Sequence, residues 1–415
     1  MIPWTRAVSF VNAQVVVDPG VGRADTDTIR FGSRILSVGE APKRGDVVVD
    51  LHGALVLPGL INAHDHLELN HYGRIADRHT YSNVSEWIAD MDGRLSGDPA
   101  IRDGRSRPLS DRLFIGVLKN LLAGVTTVAH HNPYYRELRR VGFIRVLRRY
   151  GWAHSFLLAD RPAGANGERG GDIATRFHAT PAGAPFMVHL AEGVDAAARA
   201  ELERFEAIGC LAPNSILVHA TAIDTDGWTR VIHRGAGVVW CPASNQLLFG
   251  KTAAVREYLD LANGSGPSRL ALGTDSRLTG SRDLLDELRT AASLAPLKAG
   301  ELLRLVTTGP ADLLRLPGAG RLTAGANADL LVIPAPRRAA STAAAALLQV
   351  SRRDVLLTVA RGRPLIGDLA FEAVFRGRRI RTRFIHVDDT ERLCDATLAA
   401  AIARCSIAEP GVTCA

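Results

Sequence analysis

Apolar and polar positions divide the chain into a middle of one texture and two ends of another. Residues 1–56 hold short apolar runs between Gly, Asp and Pro turns: Ala7–Val17, Thr28–Val38, Asp46–Leu51 and Ala54–Leu57. Runs this short, bounded by turn formers, predict β-strands. The same texture returns over residues 319–385, in Ala328–Ile333, Val355–Val359, Pro364–Ile366 and Ala373–Phe375. Neither end is long enough to enclose a core alone, so together (1–56 with 319–385) they predict one small β-sandwich domain. In the middle, 57–318, strand-like runs (Gly124–His131, Trp152–Asp160, Phe186–His189, Ser215–His219, Gly237–Cys241, Leu270–Thr274) alternate with helix-like segments (Ser110–Ala123, Ala196–Ile208, Thr225–Arg234, Val255–Ala262, Asp283–Ala295). That alternation over ~250 residues is the pattern of an α/β (β/α)8 TIM barrel. Residues 386–415 follow as a C-terminal extension, with a helix expected over Asp389–Arg404.

Two zones break the alternation. Residues 67–108 are long and polar and end in an Arg/Gly/Pro-rich segment, which predicts an insertion capping the barrel mouth. Residues 160–185 are rich in Gly, Ala and Pro and too short for a strand, a helix and ordinary loops, so the fourth barrel unit is expected to be abbreviated.

Composition narrows the function class. A chain of 415 residues, 47% hydrophobic, can bury a barrel-sized core and a smaller one. No run approaches the ~18 apolar residues of a membrane span, and the start, Met1-Ile2-Pro3-Trp4, lacks the layout of a signal peptide. The net charge of +7 is spread along the chain, without the clustered stripe and interleaved aromatics of a nucleic-acid surface. Five scattered cysteines make neither a disulfide framework nor a thiolate metal site. A cytoplasmic enzyme with a small-molecule substrate is expected, with no nucleic-acid or membrane partner; a homo-oligomer is compatible.

The chemistry gathers at strand ends. Leu57–His66 is an apolar run that stops at His64 and His66, and residues two apart on a strand share a face. His189 ends Phe186–Val188, His219 ends Ser215–Val218, and Asp275 ends Leu270–Thr274. At ~30 residues per β/α unit these fall on strands one, five, six and eight. Taken singly, a strand-end histidine is more often a packed core residue and an Asp after Gly-Thr more often a turn former. Taken together they are hard to explain by packing, because ionisable groups at buried strand ends are costly unless paired or metal-bound.

With these positions in place, the chain resembles the amidohydrolase superfamily, metal-dependent hydrolases and deaminases on a (β/α)8 barrel with a side β-sandwich. The resemblance rests on VLPGLINAHDH, GVTTV, MVHLAEG, LVHA, CPASN, LALGTDS and GRLTAGANADLLVI, spread from about residue 30 to 370. The His189–Glu192 spacing resembles the branch of cytosine and guanine deaminases, S-adenosylhomocysteine-type deaminases and triazine hydrolases. It implies that His64, His66, His189 and Asp275 hold one divalent metal, zinc ahead of iron or another first-row ion, with a position open for water. His219 and Asp275 would orient and deprotonate that water, and Glu192 would relay the proton to the substrate and then to the leaving group. The plain alternative for Glu192 is a solvated carboxylate opening the following helix. Binuclear relatives use a carboxylated lysine near strand four. No lysine lies between Lys119 and Lys251, which favours a mononuclear site.

Substrate contacts are expected from Asn245, Ser276 and Arg277, from Glu68, Asn70 and His71 after the first metal pair, from His130 and His131 closing the second strand, and from Trp87 in the insertion. Turn capping or packing would explain each of them equally well. The leading function is hydrolytic deamination of an amidine- or guanidine-like heterocycle. The same site cleaving a cyclic amide or other C–N or C–X bond without ammonia release is the alternative within the class. A catalytically silent metal- or ligand-binding relative is the alternative outside it.

Overall fold

The computed structural model describes residues 5–75, 80–156, 172–264, 268–335 and 342–414. The N-terminal strands are β1 (Val8–Val15), β2 (Asp25–Phe31), β3 (Ile35–Val38), β4 (Val47–Asp50) and β5 (Leu55–Pro58). The run Thr28–Val38 is two strands, because Gly32-Ser33-Arg34 turns the chain back and pairs β2 with β3 antiparallel. Eight parallel barrel strands follow: β6 (Leu60–Asp65), β7 (Val125–His130), β8 (Arg145–Val146), β9 (Gly151–Ala153), β10 (Phe186–Leu190), β11 (Ser215–His219), β12 (Gly237–Trp240) and β13 (Leu270–Leu272). The chain then returns through β14 (Leu330–Ile333), β15 (Leu357–Ala360), β16 (Arg363–Gly367), β17 (Thr382–Val387), β18 (Thr390–Asp395) and β19 (Val412–Cys414).

The two ends of the chain share one eleven-stranded ladder, ordered β19-β17-β18-β16-β15-β14-β5-β1-β2-β3, with β4 beside β1. Alternation along β1 and β2 sends Phe10, Ile29 and Phe31 to one face, where they pack with Leu357, Phe371 and Phe375. The last thirty residues are not a separate appendage: β17, β18 and β19 extend the same ladder, and the expected helix runs over Ala396–Arg404. Ala373–Phe375, expected as a strand, is instead inside a short helix, Glu372–Gly377. Good helix formers (Glu, Ala, Arg) surround Val374 and Phe375, and both apolar side chains still reach the core.

The barrel strands form two ladders, β6-β7-β8 and β9-β10-β11-β12-β13. At one seam β13 lies against β6, where Asp275 N donates to His64 O at 3.1 Å. At the other, only residues 147–150 separate β8 from β9, and no ladder joins them among the described residues. The unit without a helix is therefore the third; unit four, expected to be abbreviated over 160–185, has a short helix at Ile173–Ala179 before β10, and the rest of that expectation falls partly on residues outside those described. The strand candidate Trp152–Asp160 is ordered as β9 only to Ala153, and residues 157–171 lie outside those described.

Gly59 is the pivot from the eleven-stranded sheet into the barrel. A Cβ there would lie 2.4 Å from the Thr126 side chain, so β6 can approach β7 only with glycine at that point. The insertion 67–108 contains a 3-10 turn at Leu67–Leu69, helix α1 (Val84–Gly97) and helix α2 (Pro99–Ser106). Helix α3 (Leu109–Leu122) then leads into β7. The start of α1 is fastened to the end of β10, with Val84 N bonded to Glu192 O at 3.0 Å and an isolated bridge between Asn83 and Gly193.

Candidate active site

β6 ends with His64 fully buried and His66 half-buried just past it. The ligand nitrogens of His64, His66 and His189 all lie within 4.8 Å of one another. Asp275 Oδ1 faces them from the end of β13, 4.0 Å from His64 Nε2 and 3.6 Å from His66 Nε2. That approach depends on Gly273, where a Cβ would sit 2.6 Å from the His64 Cβ. Ala191, His219 and Asp275 all have left-handed backbones, with φ of 54°, 71° and 52°. Non-glycine residues held there carry strain that the surrounding packing must offset, and such strain gathers at functional sites.

Hydrogen bonds assign the ring nitrogens. Ala153 O can only accept, so His131, bonded to it through Nε2 at 2.8 Å, carries its proton there. Burial, reinforced by neighbouring imidazoles, holds His131 neutral, so its Nδ1 accepts. His64 Nδ1, 3.2 Å away, must then donate, which leaves the His64 Nε2 lone pair facing the cluster without a hydrogen bond. His189 Nδ1 donates to His154 O at 3.0 Å, freeing its Nε2 in the same way. Burial comes first and neighbouring imidazoles second in holding both His64 and His189 well below the usual imidazole range.

His219 is set from behind by Asn245, whose Oδ1 accepts from Nδ1 at 2.8 Å while its amide nitrogen bonds Thr252 at 3.2 Å. His219 Nε2 is thereby turned to Glu192 Oε1, 3.4 Å away. Burial, with the charges of Asp275 and Glu201, pushes the Glu192 carboxyl well above its ordinary range. Burial acts against the Asp275 carboxylate, but His66, His219 and bonds from Ser276 N (2.7 Å) and Ser244 Oγ (2.9 Å) outweigh it and hold its acidity below the usual value. One carboxyl is favoured as a proton carrier and the other as an anion, although they share one cavity.

That cavity, about 220 Å3, is lined by His66, His189, Glu192, His219 and Asp275 on one side. Leu69, Val84, Trp87, Ile88 and Leu278 form its apolar wall. A family model, the amidohydrolase family, matches residues 171–365, the half of the barrel that carries His189, Glu192, His219 and Asp275. Over that stretch the chain resembles the amidohydrolase family. A 5-methylthioadenosine/S-adenosylhomocysteine deaminase of Halobacterium salinarum is 28% identical over 77% of this chain and 82% of its own length. One from Haloarcula marismortui is 27% identical over 88% and 94%. Among solved structures, atrazine chlorohydrolase of Arthrobacter aurescens TC1 complexed with zinc superposes with a TM-score of 0.70 at 20% identity, covering 90% of this chain and 99% of that one. An adenosine deaminase of Xanthomonas campestris with bound zinc gives 0.68 at 17%, covering 90% and 96%. At such identities the superpositions speak for the barrel fold alone.

The protein is a metal-dependent hydrolase, and the cluster fits a divalent ion. Three imidazoles and a carboxylate are a nitrogen–oxygen donor set for such an ion, and the buried His64 Nε2 is otherwise without a hydrogen-bond partner. Among the described residues His64, His66 and His189 are the group close enough to hold an ion, with Asp275 facing them. No described helix is long and apolar enough to cross a membrane.

The residues expected to touch substrate separate into two groups. Ser276 and Trp87 line the cavity, with the Trp87 indole N–H anchored to Ile75 O at 3.1 Å. The others lie behind it. Asn245 is occupied by His219, and His131 by His64. Glu68 accepts from Asn132 and lies 3.7 Å from His130, whose Nδ1 takes the Leu67 N–H at 3.2 Å. Asn70 donates to Asp65 at 2.7 Å and accepts from Lys119 at 2.7 Å, and His71 bonds Gly104 O at 3.0 Å. The Arg277 guanidinium turns away to grip Glu409 with bonds of 2.8 and 2.7 Å.

Sequence reasoning missed the layer beneath. Lys119, inside the apolar stripe of α3, is fully buried and lies 3.2 Å from Asp65 Oδ2. Burial lowers its pKa while Asp65 opposes the shift. Asn62 bridges Asn120 (2.9 Å) and Thr274 (2.8 Å), tying β6, α3 and β13 under the ligands. A lysine and an asparagine at buried positions of an amphipathic helix were the available signal. Asn132, on the far side of the cavity, was also missed.

Proposed function

We propose that this protein is a mononuclear deaminase that hydrolyses the exocyclic C–N bond of an aminopurine or similar amidine-like heterocycle, releasing ammonia. The observation that carries this reading is Glu192 and His219 side by side on the wall of the cavity that holds the three-histidine cluster. His64, His66, His189 and Asp275 would hold the ion, and the donor set suits zinc. A divalent cation there would lower the pKa of a water towards ~7, so that attack occurs near neutral pH.

The chain's own groups do the rest. His219 Nε2, held with its lone pair towards the cavity by Asn245, takes a proton from the attacking water together with Asp275. Glu192, protonated at rest, gives its proton to the ring nitrogen beside the attacked carbon, which makes that carbon more electrophilic. Recharged with the proton that His219 and Asp275 took from the water, it passes that proton to the departing amine, so that ammonia leaves rather than an amide anion, and the hydroxyl proton of the tetrahedral centre restores Glu192. Trp87, Leu69 and Leu278 exclude bulk water and present apolar faces to a flat ring, which the 220 Å3 cavity can hold. The deaminase relatives support the choice of an aminopurine nucleoside. A soluble cytoplasmic enzyme, without nucleic-acid partners, remains the matching setting.

The zinc-loaded protein assayed for ammonia with adenosine, 5-methylthioadenosine, S-adenosylhomocysteine, cytosine, guanine and an aminotriazine tests the reading. Release from an aminopurine, abolished in Glu192→Gln with metal content unchanged, is expected. Hydrolysis of a lactam without ammonia would replace deamination with cyclic-amide cleavage, and no turnover of any compound would sink the enzymatic reading.

A further inference from the structure

A second, wider cavity is at the end of the barrel opposite the active site. It has a volume of about 1190 Å3 and opens at the seam where β8 and β9 share no ladder. Its walls include Arg145 and Val146 of β8, Gly151 at the start of β9 and Pro185 just before β10, all at N-terminal strand ends. Arg139, Arg145, Arg148, Arg149, Arg176, Arg315 and Arg361 line it, and no described carboxylate does. Arg315 and Arg361 donate to the carbonyls of Ala182 (2.5 Å) and Gly142 (3.0 Å), and Arg148 lies 5.1 Å from the Tyr134 ring centroid. Arg176 packs over the Trp152 ring, 5.0 Å from its centroid, and donates to Trp152 O at 3.4 Å, and none of the other six is in salt-bridge contact with a described carboxylate. Asp329 senses Arg145 and Arg361, but its Oδ1 is taken by the Arg361 backbone N–H at 2.6 Å and it stays outside the lining.

The inner wall has a different character. Tyr150, Trp152, Leu314 and Leu316 present apolar and aromatic surface to the same space. Guanidinium groups around a low-dielectric floor repel one another and concentrate a positive potential there. Guanidinium forks match phosphate oxygens two at a time, and an aromatic floor suits a planar ring. The cavity is far larger than a single phosphate needs.

We propose that this basal cavity binds a nucleoside polyphosphate, with its phosphates on the arginines and its base against Tyr150, Trp152, Leu314 and Leu316. The site is distinct from the metal centre and independent of which heterocycle that centre hydrolyses. UTP is the suitable probe, since uracil carries no exocyclic amine for a deaminase to remove. Calorimetry on the full metal-loaded chain, with magnesium in excess so that the phosphates do not strip the site, would compare UTP, tripolyphosphate and uridine. UTP should bind about tenfold or more tighter than tripolyphosphate, uridine should give no heat, and UTP affinity should fall as salt is raised. The exposed double variant Arg148→Glu/Arg149→Glu should weaken UTP about tenfold or more with metal content and basal hydrolysis unchanged. Arg361→Ala, contributed by the other domain, should weaken it in the same direction. Absence of UTP binding, UTP binding no tighter than tripolyphosphate, or equal binding in both variants would overturn the proposal.

Discussion

At the residue scale, the histidine cluster and its neighbours were legible because each closes an apolar run. A run of four or five buried residues closing on His or Asp has few explanations, and four such endings at barrel intervals have fewer. The orientation of those side chains was not legible, because it depends on partners distant in sequence. Asn245 could be read as a substrate contact from its place after β12, yet its amide is bonded to His219 Nδ1. The same bond that hides it from the cavity gives it a testable role. Asn245→Leu should leave the ion bound and KM little changed, but lower kcat by about 10–100-fold, the usual cost of losing a partner that orients a site histidine. An unchanged kcat would show that His219 is fixed by packing alone. His131→Phe acts on the other side, removing the acceptor that sets the His64 tautomer. It should weaken metal affinity by about 10–100-fold, read by competition with a chromophoric chelator.

At the element scale, periodicity placed the helices Ala196–Ala207, Thr225–His233 and Val255–Ala262 to within a residue or so of their ends. It was least informative where elements are short or borrowed. Glu372–Gly377 is too brief to show a helical period, and the pairing of the last thirty residues with β16 depends on chain more than twenty residues away. That tail reaches the active-site loop through charge. Glu409, almost completely buried, accepts from Arg277 at 2.7 Å and from Arg352 at 2.6 Å, and Arg277 follows Asp275 by two residues. Glu409→Ala strands two guanidinium groups and should cost roughly 3 kcal/mol or more in urea unfolding. It should also weaken metal binding, because the Asp275 loop loses its brace. A variant as stable as the parent would mean that water replaces the carboxylate without loss.

The same network gives a pH dependence. Hydrogen bonds from Arg352 and Arg282 outweigh partial burial and draw the Asp388 carboxyl down to about 2. Because its folded pKa lies below the unfolded ~3.9, the native state binds the proton less readily than the unfolded chain. The stability it contributes is therefore fully present above about pH 4 and drains away as pH falls towards 2. Asp388→Asn should be less stable than the parent at pH 6, with the difference narrowing steadily below pH 4. A difference that stays constant across that window would assign the loss to packing instead of charge.

At the scale of the whole molecule, the candidate active site is built across a seam. His64 and His66 belong to the three-stranded ladder β6-β7-β8, whereas His189 and Asp275 follow strands of the five-stranded ladder. Around that seam run the Asp275 N to His64 O bond and the buried Asn62–Thr274 contact, while the opposite seam is open between β8 and β9. An ion held by all four residues would therefore act as a cross-link between two halves of the barrel that the backbone joins on one side only. Binding to the native state alone stabilises it by about 2.7 kcal/mol at a hundredfold excess over Kd. Zinc should accordingly raise the urea midpoint of the stripped protein, and the gain should disappear in His64→Ala and in His189→Ala alike, since each variant cuts the cross-link from a different half. If only one of them lost the gain, the ion would be held by a single ladder, and the barrel would owe its closure to side-chain contacts at the β6–β13 seam.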